Sequence, residues 1–466
     1  MHFWALSTAF LLLAEAQARA PLNVVLIDIC SARADHFGSY GYSRPTTPGL
    51  DKLARESAVF DNAMAQASWC LPNYATLFTG HVPEVHGQYM NIPHRPLPEF
   101  ETTLAQRLKE AGYRTGAFTG GIYFLPAWEL SRGFDTFVNS FSTSSALPGS
   151  FAGLAPKALD WIKAGASSPF FLYAAVDDLH APYQAEDSER FDPGYEGVVH
   201  DTATLSVRFF RAYNGEPLEA TDPIRLKLDA FRQDPRHLLH LTAHYDAALS
   251  GVDRKVSAFL DRLKGLGLWD KTLVIVTADH GELLGEKALL GHTEGLYEPV
   301  LRVPLLIHHP ALTRSKPSRP RQVVQRSDLF PTILESAGID PASVQAQGRS
   351  LLPLLRDPKG AWRPYAYASS KRNMSTLADS EIDERVLREG RWKLHWYSYK
   401  EGFELYDLES DPQERNDLSA ARPEIVKRLA FQLLKHVEAL RPRAPGPPSS
   451  LLNPAGKGLE SRDDPH

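Results

Sequence analysis

The chain has two cysteines in 466 residues, Cys30 and Cys70, so any thiol chemistry rests on those two positions. It has no excess of positive charge. The formal net charge is -5, and the basic stripe expected of a nucleic-acid binder is missing. Beyond the first residues, no stretch is long and apolar enough for a membrane helix. Long like-charge blocks, internal repeats and heptads are absent. So are G-x-S-x-G, H-E-x-x-H, C-x-x-C, Walker and G-x-G-x-x-G motifs. A serine hydrolase, a zinc protease or a dinucleotide enzyme therefore has no local support.

What is present describes a globular chain. A hydrophobic fraction of 43% over this length can bury a large core in more than one domain. The aromatic share of 10% and charged share of 23% are ordinary and argue against general disorder. Residues 1–18 read as a secretory signal. Their apolar core is too short to span a bilayer, and Ala16-Gln17-Ala18 offers a small-residue cleavage site. The expectation is a secreted or periplasmic protein in a compartment where disulfides persist.

Short apolar runs such as "NVVLIDIC", "PFFLYAAVDDLH", "TLVIVTADHGE" and "RVPLLIHHP" read as strands buried on both faces, each ending in acids, histidines or a cysteine. Helical patterns between them imply an α/β sheet, whose ligands bind beyond the carboxyl ends of the strands. One shared site is therefore expected near Asp28 and Cys30, Asp177, Asp178 and His180, and Asp279 and His280. A solvated loop explains any one of these pairs, but less readily three of them.

"SWCLPNYATLFTG" fits the same pocket. Pro72 suits the first turn of a helix, Tyr74, Leu77 and Phe78 share one face, and Gly80 can stop it. Cys70 then sits at the helix N-terminus, where free N–H groups and the dipole favour a thiolate. On these local grounds two readings stay open, a reactive thiol and an inert buried one.

Taken together, these segments resemble the sulfatase family of the alkaline-phosphatase-like superfamily. The likeness rests on residues 23–80, on "LYAAVDDLHAPY" and on the stretch from "DKTLVIVTADHGE" to "LLIHHP". "DLFPTILESAGI", "GRSLLPLL", "GRWKLHWY" and "ELYDLESDPQERNDLS" follow in the usual order. The resemblance implies a large central, mainly parallel sheet flanked by helices, plus a smaller C-terminal antiparallel α+β domain. The expected division is a signal at 1–18, a catalytic domain at 19–347, a C-terminal subdomain at 348–440 and a disordered tail at 441–466. It further implies an exported hydrolase of small-molecule or glycan sulfate esters that uses a formylglycine nucleophile and Ca2+. Matched by position, Cys70 falls at the nucleophile, Asp279 and His280 at the metal, and His180 and His292 at substrate-facing positions, with Lys287 nearby.

The chain departs from the family pattern in three places. Tyr74 stands where the maturation motif has arginine, so the resemblance implies that Cys70 escapes conversion to formylglycine. Cys30 occupies the position of the first metal aspartate. Asp28, about 6.6 Å back along the strand, completes a metal set with Asp279 and His280 only if the strand bulges. "AFTGGIYF" lacks the sulfate-binding lysine of many relatives. Because positions 30 and 70 both touch one ion in the family, the resemblance implies a Cys30–Cys70 disulfide across the site. The competing expectation is that Cys30 serves as a soft ligand selecting zinc. Two other functions stay open: an inactive relative that binds an anionic or glycan ligand, and a phosphoester or phosphonate hydrolase with an unmodified nucleophile.

Overall fold

The computed structural model describes residues 21–89, 96–141, 150–165, 168–199, 204–373 and 381–440. The expected signal and the expected tail lie outside the described residues. Among the described residues no helix is long and apolar enough to cross a membrane.

The central sheet is built from β1 (Asn23–Ile29), β2 (Ala58–Val59), β3 (Arg114–Thr119), β4 (Thr136–Asn139), β5 (Phe170–Val176), β6 (Thr272–Thr277) and β7 (Leu305–His308). Their order across the sheet is β2-β7-β6-β1-β5-β3-β4. From β6 to β4 every neighbouring pair is parallel, while β7 runs antiparallel to both β6 and β2. Every residue of β1, β5 and β6 is buried. These strands can be apolar throughout because helices cover both faces of the sheet. Asp28 is the acid inside β1, and it needs a partner there.

Helices α1 (Pro48–Ala54), α2 (Cys70–Thr79), α3 (Phe151–Lys163), α4 (Arg236–Gly265) and α5 (Leu329–Ser336) surround the sheet. The C-terminal part carries the antiparallel strands β8 (Ala366–Asn373), β9 (Glu381–Glu389), β10 (Trp392–Tyr397) and β11 (Phe403–Asp407). Helix α6 (Pro423–Leu440) closes over them, with Leu429 and Leu433 packed on Tyr367, Leu387, Leu394 and Leu405.

The two sheets are joined by a buried polar network. Lys393 lies between Glu298 at 3.1 Å and Glu414 at 3.0 Å, His395 Nε2 meets Glu414 at 2.8 Å, and Arg388 pairs with Glu298 at 2.9 Å. Lys287 belongs to this junction. Its ammonium group donates to the Glu414 carbonyl and lies over the Tyr297 and Tyr406 rings.

Candidate active site

Register brings the strand ends together. Asp28 in β1 stands opposite Ala175 in β5 and Thr277 in β6. Cys30 and Asp279, each two residues further on, therefore meet at the carboxyl edge of the sheet, beside Asp177. The turn after β1 is held by Tyr245 of α4, whose hydroxyl donates to the Ser31 carbonyl at 2.8 Å and accepts from Arg33 N at 3.0 Å. Ser31 itself adopts φ of 60°. A serine in left-handed backbone stores strain of a kind that gathers at functional sites.

Cys70 arrives from the other side as the first residue of α2. The helix lacks a side-chain cap at Trp69. Asn73 instead ties the approaching loop to the first turn. It accepts from Gln66 N at 2.8 Å and donates to the carbonyls of Ala67 at 2.8 Å and Trp69 at 2.9 Å. At the far end Gly80 closes the helix in the left-handed conformation at φ 72°, a position where a side chain would strike Phe330.

Three imidazoles surround the Cys70 sulfur, and each is locked through Nδ1. His280 Nδ1 donates to the Gly281 carbonyl at 2.8 Å, and His180 Nδ1 to the Ala181 carbonyl at 2.8 Å. His292 Nδ1 donates to Glu282 at 3.2 Å. The His280 Nε2 atom reaches Cys70 Sγ at 3.1 Å. The His292 ring lies 4.2 Å from the His280 ring and 5.2 Å from that of His180. The nearest ligating atoms of Cys70, His180 and His292 lie within 4.8 Å of one another. His292 Nε2 is buried without a hydrogen-bond partner. An orphaned polar atom of this kind carries a full desolvation cost and calls for a ligand.

Electrostatics divide the two thiols. Burial pushes the Cys70 thiol up. The hydrogen bond to Cys30 and the neighbouring His280 and His180 outweigh burial and hold it well below its ordinary value. Burial and the hydrogen bond to Cys70 push the Cys30 thiol up. The opposite directions of the two shifts favour the thiolate at Cys70 over one at Cys30. Burial lowers the His292 value, but Glu282 and Cys70 more than offset it and raise this histidine to about 10. His180 is raised too, with burial opposed by its hydrogen bond to Cys70. Burial, reinforced by Asp279 and opposed by His180, raises Asp177 to about 8.

Three expectations are corrected. First, Cys30 and Cys70 are free thiols and form no disulfide. Besides each other, the sulfurs have further partners: Cys30 meets Asp279 Oδ2 at 3.4 Å and Cys70 meets His280 Nε2 at 3.1 Å. Second, the strand does not bulge to bring Asp28 into the site. The Asp28 carboxylate is taken by both terminal nitrogens of Arg326 and by the Tyr173 hydroxyl at 3.1 Å. Third, Lys287 lies at the junction of the two sheets. Asp178 also serves the scaffold, since it accepts from Phe151 N at 2.8 Å at the start of α3 and pairs with Lys255 at 2.8 Å. Asn214 makes two hydrogen bonds of 2.8 Å to Leu290, two residues before His292.

Calcium does not fit this donor set. It takes six to eight oxygen ligands at about 2.3–2.6 Å. The cluster at the metal position is Cys30, Cys70, Asp279 and His280, with a single carboxylate among the four. With Asp28 neutralised by Arg326, no step of the chemistry is assigned to calcium.

Sequence reading missed Arg326, Asn73 and Glu282, whose roles come from partners distant in the chain or on another turn. It also missed an aromatic run leading outward. Trp69 packs 5.2 Å from His292 and 6.0 Å from Tyr123, which lies 6.0 Å from Trp128.

The model of the family described as Sulfatase matches residues 22–339, and one described as N-sulphoglucosamine sulphohydrolase, C-terminal, matches residues 291–442. The chain is 23% identical to an arylsulfatase of Clostridium perfringens, covering 89% of this chain and 94% of that protein. Among solved structures, it is similar to BT4656 in complex with its substrate D-glucosamine-2-N,6-O-disulfate, with a TM-score of 0.71 and 21% identity over 90% of this chain and 98% of the other. It is equally similar to the phosphonate monoester hydrolase of Agrobacterium radiobacter, with a TM-score of 0.71 and 21% identity over 90% and 96% of the two chains. Both likenesses concern the fold.

Proposed function

This chain belongs to the sulfatase family, and from that membership we propose that it is an exported hydrolase of sulfate esters with Cys70 as an unmodified thiolate nucleophile. One observation carries the reading: the Cys70 sulfur lies at a helix N-terminus among three imidazoles whose Nδ1 atoms are already engaged. The thiolate attacks the ester sulfur and forms an S-sulfo cysteine. The sulfur–oxygen bond breaks, and its electron pair goes to the leaving oxygen, which takes a proton from partly exposed His180. Water then releases hydrogen sulfate and returns the thiol. The orphaned Nε2–H of His292 donates to a sulfate oxygen throughout.

The aromatic run Trp69, Tyr123 and Trp128 supports a sugar sulfate as substrate, because the apolar face of a pyranose packs on such rings. Export rests on the apolar N-terminal segment 1–18. The likeness in fold to a phosphonate monoester hydrolase supports a second reading in which the same thiolate acts on a phosphoester or phosphonate.

The test is turnover of aryl and sugar sulfates, and of aryl phosphates and phosphonates, by wild type and Cys70→Ala, together with the intact mass of the Cys70 peptide. Sulfate turnover that disappears in Cys70→Ala, with an unmodified cysteine, is expected. Binding of a sulfated sugar without turnover of any ester would instead make the chain a binding module. A formylglycine mass would overturn the thiolate.

A further inference from the structure

The four side chains at the metal position are a poor calcium site, but they match another ion. Cys30 Sγ lies 3.4 Å from Asp279 Oδ2, His280 Nε2 lies 3.4 Å from the same oxygen, and Cys70 Sγ lies 3.1 Å from His280 Nε2. All four ligating atoms lie within 4.8 Å of one another, and all four residues are buried. A zinc ion bound at about 2.0–2.3 Å sets tetrahedral edges of about 3.3–3.8 Å. Three edges are therefore near their final length before any ion enters, and no other pair needs to close by more than about 1 Å.

The surroundings aim the right atoms inward. Asp279 Oδ1 accepts from Ser31 N at 3.0 Å and His280 N at 2.8 Å, which leaves Oδ2 for the cluster. His280 Nδ1 donates to the Gly281 carbonyl, which leaves Nε2, 3.1 Å from Cys70 Sγ, available to an ion. Outer hydrogen bonds of this kind fix the tautomer and orientation of metal ligands. Two thiols, an imidazole and one carboxylate are a donor set that selects a soft or borderline cation over a hard one. Arg326 occupies the carboxylate of Asp28, the one carboxylate on β1.

We propose that Cys30, Cys70, Asp279 and His280 form a tetrahedral site for a divalent cation of the zinc class. This goes beyond the ester hydrolase and does not depend on it. The two are compatible, since a coordinated thiol is deprotonated and Cys70 would be held as the thiolate that the reaction uses.

The experiment uses the full chain purified without chelator. Zn2+ binding is titrated in the presence of excess Ca2+, and Co2+ serves as a spectroscopic probe. One Zn2+ per chain, undisturbed by Ca2+, is expected. The cobalt form should show a thiolate-to-metal charge-transfer band and the intense visible absorption of tetrahedral geometry. Cys30→Ser should remove most of that band and weaken Zn2+ by more than the roughly 10–100-fold typical of losing an outer partner. Cys30→Asp should shift preference toward Ca2+. A wild-type cobalt spectrum of octahedral type without the sulfur band, preference for Ca2+, or no stoichiometric metal overturns the site, whatever the variants do. These readouts need no turnover. An inert protein that binds Zn2+ keeps this inference and loses the hydrolase, and an active protein without zinc does the reverse.

Discussion

Arg326 and Asp28 form a buried ion pair directly beneath the candidate site, and the same guanidinium donates to the carbonyls of Asn73 and Ala278, each at 2.8 Å. It thereby clamps the first turn of α2 to the end of β6, one residue before Asp279. Its position 6.0 Å over the Tyr74 ring places an arginine next to the motif position that lacks one.

Removing Arg326 strands a buried carboxylate and frees two carbonyls. Arg326→Met should destabilise the fold by about 3–5 kcal/mol. The double variant with Asp28→Asn should recover part of that loss, because no buried charge is left unpaired. Chemical denaturation of the two singles and the double measures the coupling. A loss under about 1 kcal/mol for Arg326→Met would show the clamp to be idle.

The two thiols should react in order. In metal-free protein, Cys70 should alkylate at a pH below that of an ordinary thiol, and Cys30 only above it, following the opposite shifts of the pair. His280→Gln removes one of the groups that lower Cys70 and should move its reactivity to higher pH. Peptide mapping after timed alkylation distinguishes the two sites, and equal reactivity at neutral pH contradicts the division.

Burial lowers His292, but Glu282 and Cys70 outweigh it and raise this histidine to about 10, so its donor should be lost only as pH rises through that value. Glu282→Gln should draw the alkaline limb of the pH–rate profile down toward neutrality while leaving the acid limb in place. An unmoved alkaline limb would mean that His292 is not the donor.

At the outer end of the pocket, Tyr123→Ala should raise KM for a sugar sulfate about tenfold, or about 1.4 kcal/mol, with kcat kept. A change confined to kcat would place Tyr123 in the chemistry instead of in substrate binding.

The junction between the sheets should be acid-sensitive. Burial and nearby Lys393 lower His395, so below about 6.5 the unfolded chain takes up a proton that the folded state resists. Burial raises Glu414, but Lys393 and His395 outweigh it and bring this acid from 4.5 to about 2. Its contribution is complete above 4.5 and is lost as pH falls toward about 2. Thermal melting across this range should show stability falling in both windows, with the lower one lost in Glu414→Gln. Melting independent of pH below 6.5 contradicts the assignment.

Several features were legible in the sequence because their signals are local. Apolar runs of strand length gave β1, β5 and β6, and the polar residues at their ends marked the edge that carries the candidate site. Pro72 and Gly80 bounded the helix that begins at Cys70. The C-terminal antiparallel part implied by the family resemblance is the sheet of β8 to β11, closed by α6. Asp28 was misread because spacing along a strand says which face a carboxylate takes and nothing about which cation waits there.

The sequence by itself determined the class of the fold, the order of its segments and the residue types gathered at the carboxyl edge, since periodicity, turn chemistry and motif order are properties of neighbouring residues. Tertiary structure alone decided which of those residues meet. Arg326 reaches Asp28 across 298 positions of chain, and Cys30 reaches Asp279 across 249. Such contacts leave no period to read. They follow from strand register, helix placement and the requirement that every buried charge find a partner, and here that requirement turned Asp28 to Arg326 and left two sulfurs facing Asp279 and His280.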